Sequence, residues 1–335
     1  MAEIKSNKEN PISSITQRKL QEISGSLLLT VPKTWANSFN LSKGSVVNIS
    51  TIDNGVLLIS PKPTKIKQKK SAMIEYSKYF VRDFLRQYFL GNEKITINLK
   101  INNNKNHNNN KRNYNNNNNN KSKKNSNQHK KEIYFIIKKF MNAQIIEETE
   151  DKIVVKCFKI EELSIRECLN RMYFLSLNSI DNLLGEGDKV LLEETKKHLG
   201  RFYYMLVMQV RRFIDEGKFT EQNQISLLYA LDCRMVAEKI KWINDLCQTL
   251  TNVNDSKIKS LMLEIKRLYS KSYQCFFNHK YEKAIRLIDE ENEIRIKLDK
   301  LHSNYSRKKE IATITQINGL KLMTRYFKSI AMLTR

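Results

Sequence analysis

The chain has 335 residues, 40% of them hydrophobic, and its 59 Lys and Arg against 35 Asp and Glu leave a formal net charge of +24. That length holds two or three domains with a large core, and the charge favours polyanionic partners, although part of it lies in an uncompensated low-complexity stretch between Lys105 and Lys131. No apolar run approaches the roughly 18 residues of a membrane span. MAEIKSNKEN lacks a signal-peptide core, and Cys157, Cys168, Cys233, Cys247 and Cys275 lack metal or redox spacing; a cytoplasmic protein with buried, reduced thiols is expected.

Residues 1–15 are polar and read as a disordered tail. Residues 16–62 read as a miniature β-domain. Leu27-Leu28-Leu29 is a short apolar run stopped by Pro32, and Val46-Val47-Asn48-Ile49 and Val56-Leu57-Leu58-Ile59 are two more, joined by the turn signal Asp53-Asn54-Gly55. Pro32 suits the first turn of a short helix through Phe39, and Gly44 supplies the bend into the next strand. A unit this small barely sustains a core alone, so a homodimer is expected.

Pro61-Lys62-Pro63 through Lys70 reads as a stiff basic linker, and no proline follows it. Residues 63–160 then read as a small α/β module: a helix over 71–90 ending at Gly91, a strand carrying Ile95, Ile97 and Leu99, a helix over 131–141, and a hairpin turning at Glu150-Asp151. Its middle is interrupted by Asn102–Asn127, which holds sixteen asparagines and too few apolar residues to offset its ordering entropy; a disordered insert is expected there.

Residues 161–335 read as an all-α, up-and-down bundle of helices over 162–184, 188–216, 220–250, 254–278, 280–303 and 306–332, with short connections and Asp255, Ser256 and Ser306 as N-cap candidates. Tyr203-Tyr204-Met205-Leu206-Val207 is too short to span lipid and reads as core. Arg234, Glu238, Lys241 and Asp245 alternate in sign along one helical face, as a solvated ion-pair stripe does. Glu194 and His198, four apart, read as a surface pair rather than a site. No nucleophile elbow, phosphate loop, zinc-ligand cluster or dinucleotide fingerprint is present, and no catalysis is expected. The fold class expected is therefore multidomain α+β.

Arg18-Lys19-Leu20, Gly25-Ser26, Val31-Pro32-Lys33, Trp35 and Leu41-Ser42-Lys43-Gly44-Ser45-Val46 resemble the SpoVT-AbrB family of swapped-hairpin DNA-binding domains, with Ser45 where that family usually has Asp. Within the bundle, Arg201 to Arg211 and Ala237 to Asp245 resemble the archaeal form of the PhoU phosphate-uptake regulator family, in which such a domain precedes three-helix repeats. The resemblance implies a transcriptional or phosphate-uptake regulator that pairs into a dimer and sets Arg18, Lys19 and Lys33 against double-stranded DNA. A transporter ATPase or sensor protein is a further candidate partner; the alternative reading is an adaptor that docks on such a protein and uses its amino-terminal domain only to dimerise, without DNA binding. PhoU bundles resemble metal-binding bundles built on carboxylates four residues apart, which share a cation from one helical face. Here the first pair falls near Lys196 and Gly200, the second has become Lys241 and Asp245, and Asp289 and Glu293 alone keep the spacing. A divalent or iron-type metal at Asp245, Asp289 and Glu293 is what this degenerate pattern would leave, with the solvated-stripe reading of Asp245 beside it.

Overall fold

A computed structural model of the chain describes residues 18–52, 56–61, 71–99, 118–158, 163–185, 187–216, 225–250, 253 and 255–335. They divide into two compact units, one up to Lys67 and one from Gln68.

In the first unit β1 (Gln21–Ile23) and β2 (Ser26–Leu28) form an antiparallel hairpin whose tight turn puts Ser24 and Gly25 at positive φ, 52° and 76°. A helix α1 (Lys33–Ser38) follows Pro32, whose fixed φ of −59° suits a helix entry. A second hairpin pairs β3 (Asn48–Ile52) with β4 (Val56–Ser60), in register Asn48 to Ser60 through Ile52 to Val56. The turn expected at Asp53-Asn54-Gly55, like the amino-terminal tail and the linker from Lys62, lies outside the described residues.

The second unit begins with a four-stranded sheet in the order β5 (Ser71–Glu75), β6 (Lys94–Asn98), β8 (Lys152–Cys157), β7 (Ala143–Glu148). The helix expected over 71–90 is only its second half, α2 (Phe80–Phe89). Residues Ser71–Glu75 instead pair in parallel with Lys94–Asn98, making a β-α-β crossover, because a strand beside β6 satisfies its backbone along the ladder and buries Ile74. Gly91 at φ +75° ends the segment as expected. The helix expected over 131–141 runs instead as α3 (Asn118–Ile137), so its first turns take in the end of the asparagine-rich segment; residues 100–117 lie outside the description. Phe84 and Tyr88 of α2, Ile133 and Ile137 of α3, and Ile95, Ile97, Ile153 and Val155 of the sheet form one core. Its buried polar atoms are matched: the Tyr88 hydroxyl donates to Asn142 Oδ1 at 2.5 Å and Asn142 Nδ2 donates to the Phe158 carbonyl at 2.9 Å.

Six long helices complete the unit: α4 (Ile165–Leu184), α5 (Lys189–Glu216), α6 (Leu227–Thr249), α7 (Ser256–Phe277), α8 (Tyr281–Arg307) and α9 (Ile311–Met332). Helices α4–α6 pack on one another, as do α7–α9, and the two sets join through α4 against α7 and α6 against α9. First helix meets first and third meets third, the arrangement of two related three-helix layers. Asp255 caps α7 as expected, through bonds from the Lys257 and Ile258 N–H groups at 2.8 and 3.1 Å. Ser256 is instead the first helical residue, and Ser306 lies in the last turn of α8, which runs unbroken past Ser303-Asn304 and stops where Lys309 takes φ +59°. Two caps that the sequence reading passed over are the Ser164–Glu167 capping box of α4 and Ser226 at α6. At the centre Tyr173 stacks on Tyr273 at 3.8 Å, and Ser176 shares a 2.6 Å hydrogen bond with Tyr269. All five cysteines are free and buried.

Candidate nucleic-acid interface

The first unit has an unusual surface for its composition. Among its described side chains none is buried, although Leu20, Ile23, Leu27, Leu28, Leu29, Val46, Ile49 and Leu57 are strongly apolar and exposed. Hairpins this short cannot bury both faces against themselves, and two-stranded ribbons are marginal in water without something packed on them. A monomer would leave an apolar surface of the kind that marks an interaction face.

Arg18, Lys19 and Lys33 are all exposed in this unit. Arg18 and Lys19 immediately precede β1, and Lys33 is the first residue of α1, placed there by Pro32. Ser45 is an informative position: its hydroxyl accepts a hydrogen bond from the Ser42 N–H at 2.9 Å while its own N–H donates to the Ser42 carbonyl at 2.9 Å. A serine thus closes the bend before β3 by a reciprocal pair of hydrogen bonds with Ser42, its side chain serving as acceptor as an aspartate's carboxylate can. Gly44 there takes φ +86°, a conformation only glycine enters at low cost.

In the second unit the acidic candidates part company. Asp245 is held by Lys241 at 2.7 Å, an i,i+4 ion pair. Asp289 and Glu293 lie exposed on α8. Among the described residues no group of three or more His, Cys, Asp or Glu side chains could hold a metal ion, so Asp245, Asp289 and Glu293 do not form one site. An ammonium bound to the Asp245 carboxylate opposes a cation there, and these residues do not fit the metal that the resemblance implies. What the structure does bring together is the other half of the pattern: Lys196 and Gly200 on α5 face Lys241 and Asp245 on α6 across one cavity.

The Arg201 to Arg211 stretch is where the small module and the bundle meet. Arg201 Nε donates to the Lys138 carbonyl at 3.1 Å, Tyr204 packs on Phe140 at 4.9 Å between ring centres, Met208 enters the module's core, and Arg211 lies over Phe89 at 5.5 Å. The spacing 201, 204, 208, 211 is one helical stripe. Met205, Leu206 and Val207, on other faces of α5, are buried, as expected of a core segment.

No helix among the described residues is long and apolar enough to cross a membrane. No curated protein and no solved structure matches the chain. Residues 21–67 match the family model described as antidote-toxin recognition MazE, bacterial antitoxin, so the amino-terminal unit is similar to that family.

Proposed function

We propose that the protein is a non-catalytic, DNA-binding regulator in which two amino-terminal units pair and hold Arg18, Lys19 and Lys33 of both chains against a duplex. The observation that carries this reading is the MazE/AbrB-like unit whose apolar residues are exposed while its three cations remain accessible. Interlocking two copies covers the apolar faces, and it doubles the cationic surface presented to the phosphates. Guanidinium and ammonium groups placed on phosphates release counterions, and Arg18, with its planar fork, is the one of the three suited to bidentate base readout.

The finer reading couples this domain to a PhoU-like bundle that senses a signal or docks a partner in phosphate uptake. Two features support it: the two three-helix layers, and the meeting of positions 196, 200, 241 and 245 at one cavity. The test is duplex binding by the full chain at moderate salt. Binding that Arg18→Ala with Lys33→Ala weakens supports the regulator. No duplex binding, together with partner capture by residues 161–335, instead marks an adaptor that uses its first unit only to dimerise.

A further inference from the structure

The cavity between α5, α6 and the end of α3 has about 440 Å³ of accessible space, within the range of small-molecule sites. Its charge is one-sided. Lys138 and Lys139 reach it from the end of α3, Lys196, Lys197 and Arg201 from α5, and Lys241 from α6; against these six cations stand two carboxylates, Glu193 and Asp245, leaving four net positive charges. Asp245 is already engaged by Lys241, and among the described residues Lys138, Lys196 and Lys197 have no ion-pair partner.

Two further observations show that this is more than a solvated basic face. Asn244 lines the cavity and is 1% exposed; its Oδ1 accepts from the Ser179 hydroxyl at 2.7 Å, yet its Nδ2 has no partner among the described residues. A buried donor left unpaired costs about 1–3 kcal/mol, so this wall of the cavity carries an unmet polar group just beneath its surface. Gly200 lines the same space within the long helix α5, and a Cβ added there meets nothing within 4 Å. Glycine inside a helix costs about 1 kcal/mol relative to alanine, and here it keeps the cavity wall low.

From this geometry we infer that the cavity binds a small molecule carrying two or more phosphates. A single carboxylate or monoanion leaves most of the positive charge uncompensated, whereas a diphosphate or triphosphate chain matches it and offers several oxygens to separate ammonium groups. Phe135, Leu199 and Tyr204 supply an apolar wall, so a phosphate chain bearing an organic group has a surface to rest on. Because Lys138 and Lys139 belong to the small α/β module and the others to the bundle, the bound ligand cross-links the two. The inference stands apart from DNA binding.

The experiment is titration calorimetry of the full chain at constant ionic strength without divalent cations, using ATP and inorganic pyrophosphate as probes. Saturable binding at one site per chain is expected. Equal affinity for the two shows that the phosphate chain alone is recognised, and tighter ATP binding shows that the organic group is read as well. Gly200→Leu puts a bulky side chain into the cavity, and Lys196→Glu with Lys197→Glu reverses two exposed charges without touching the core; each should weaken binding roughly tenfold or more. Lys257→Glu with Lys300→Glu, an equal charge change away from the cavity, should not. No saturable binding of either probe overturns the inference. So does an equal loss in the distant pair, which marks nonspecific attraction, and so does a loss in Gly200→Leu with none in the lysine pair, which shows that the cavity's ammonium groups do not hold the phosphates.

Discussion

Replacing Leu27 by Asp tests the pairing of the amino-terminal units. Leu27 is 70% exposed in the single chain, as Val46 is 75% and Ile49 64%, so most of its transfer free energy is still to be gained. Full burial of a leucine contributes about 1.5–3 kcal/mol, and the unburied fraction in two symmetric copies makes about 2–4 kcal/mol per dimer. Losing it should raise the dimer dissociation constant roughly 30- to 1,000-fold, and more where the aspartate must itself be desolvated. Sedimentation equilibrium of the full chain reads this directly. Dimers of equal strength before and after the change would show that these apolar residues are covered by something other than a second copy.

Two predictions concern the second unit. Asp255 caps α7 and also accepts from the Tyr305 hydroxyl; that hydrogen bond first, and then the capping N–H groups, hold its carboxyl below the usual range, while the Tyr305 phenol is pushed up to about 12. A depressed carboxyl contributes stability that is present above its ordinary pKa and lost as pH falls through the lower folded value; a raised phenol contributes stability present below about 10 and lost as pH climbs towards 12. Asp255→Ala should cost about 1–2 kcal/mol at neutral pH and flatten both limbs in denaturant titrations across pH. The thiols give the other test: burial pushes Cys157, Cys168 and Cys233 up to about 12, so a disulfide reagent at pH 8 should label the native protein slowly and five thiols in denaturant.

Much of the architecture was legible because its determinants are local. A proline-free carboxyl-terminal half, apolar residues at helical spacing and an acidic cap at Asp255 mark out six helices, although α6 begins at Leu227 rather than at 220 and α9 at Ile311 rather than at 306. The failures have physical causes. Met73 and Tyr76 fit a helical period as well as a strand, and only the neighbouring edge of β6 decides for a strand at Ser71–Glu75. Ser303-Asn304 carries a break signal that an already nucleated helix overrides until Lys309. The strand β1 was too short to register beside the apolar run that follows it.

A family likeness was legible at the amino terminus, where a motif is contiguous, and residues 21–67 match a related family model; little beyond it was legible elsewhere. The cations Arg18, Lys19 and Lys33 sit close in sequence, so their common unit is evident from the chain alone. The basic cavity gathers side chains spread along the chain from Phe135 to Asp245, and Asn244 looks like any helical asparagine until its Nδ2, unpaired among the described residues, is seen. The one available signal was the loss of the expected carboxylates at Lys196, Gly200 and Lys241.

The central claim is tested most directly by the salt dependence of duplex binding in the full chain and in the triple variant Arg18→Ala, Lys19→Ala, Lys33→Ala. Each phosphate neutralised contributes about 0.9 to the slope of log affinity against log salt, so six contacts from a pair of chains should flatten it by about 5. A slope unchanged in the variant would contradict the account, because the duplex would then be held by other residues.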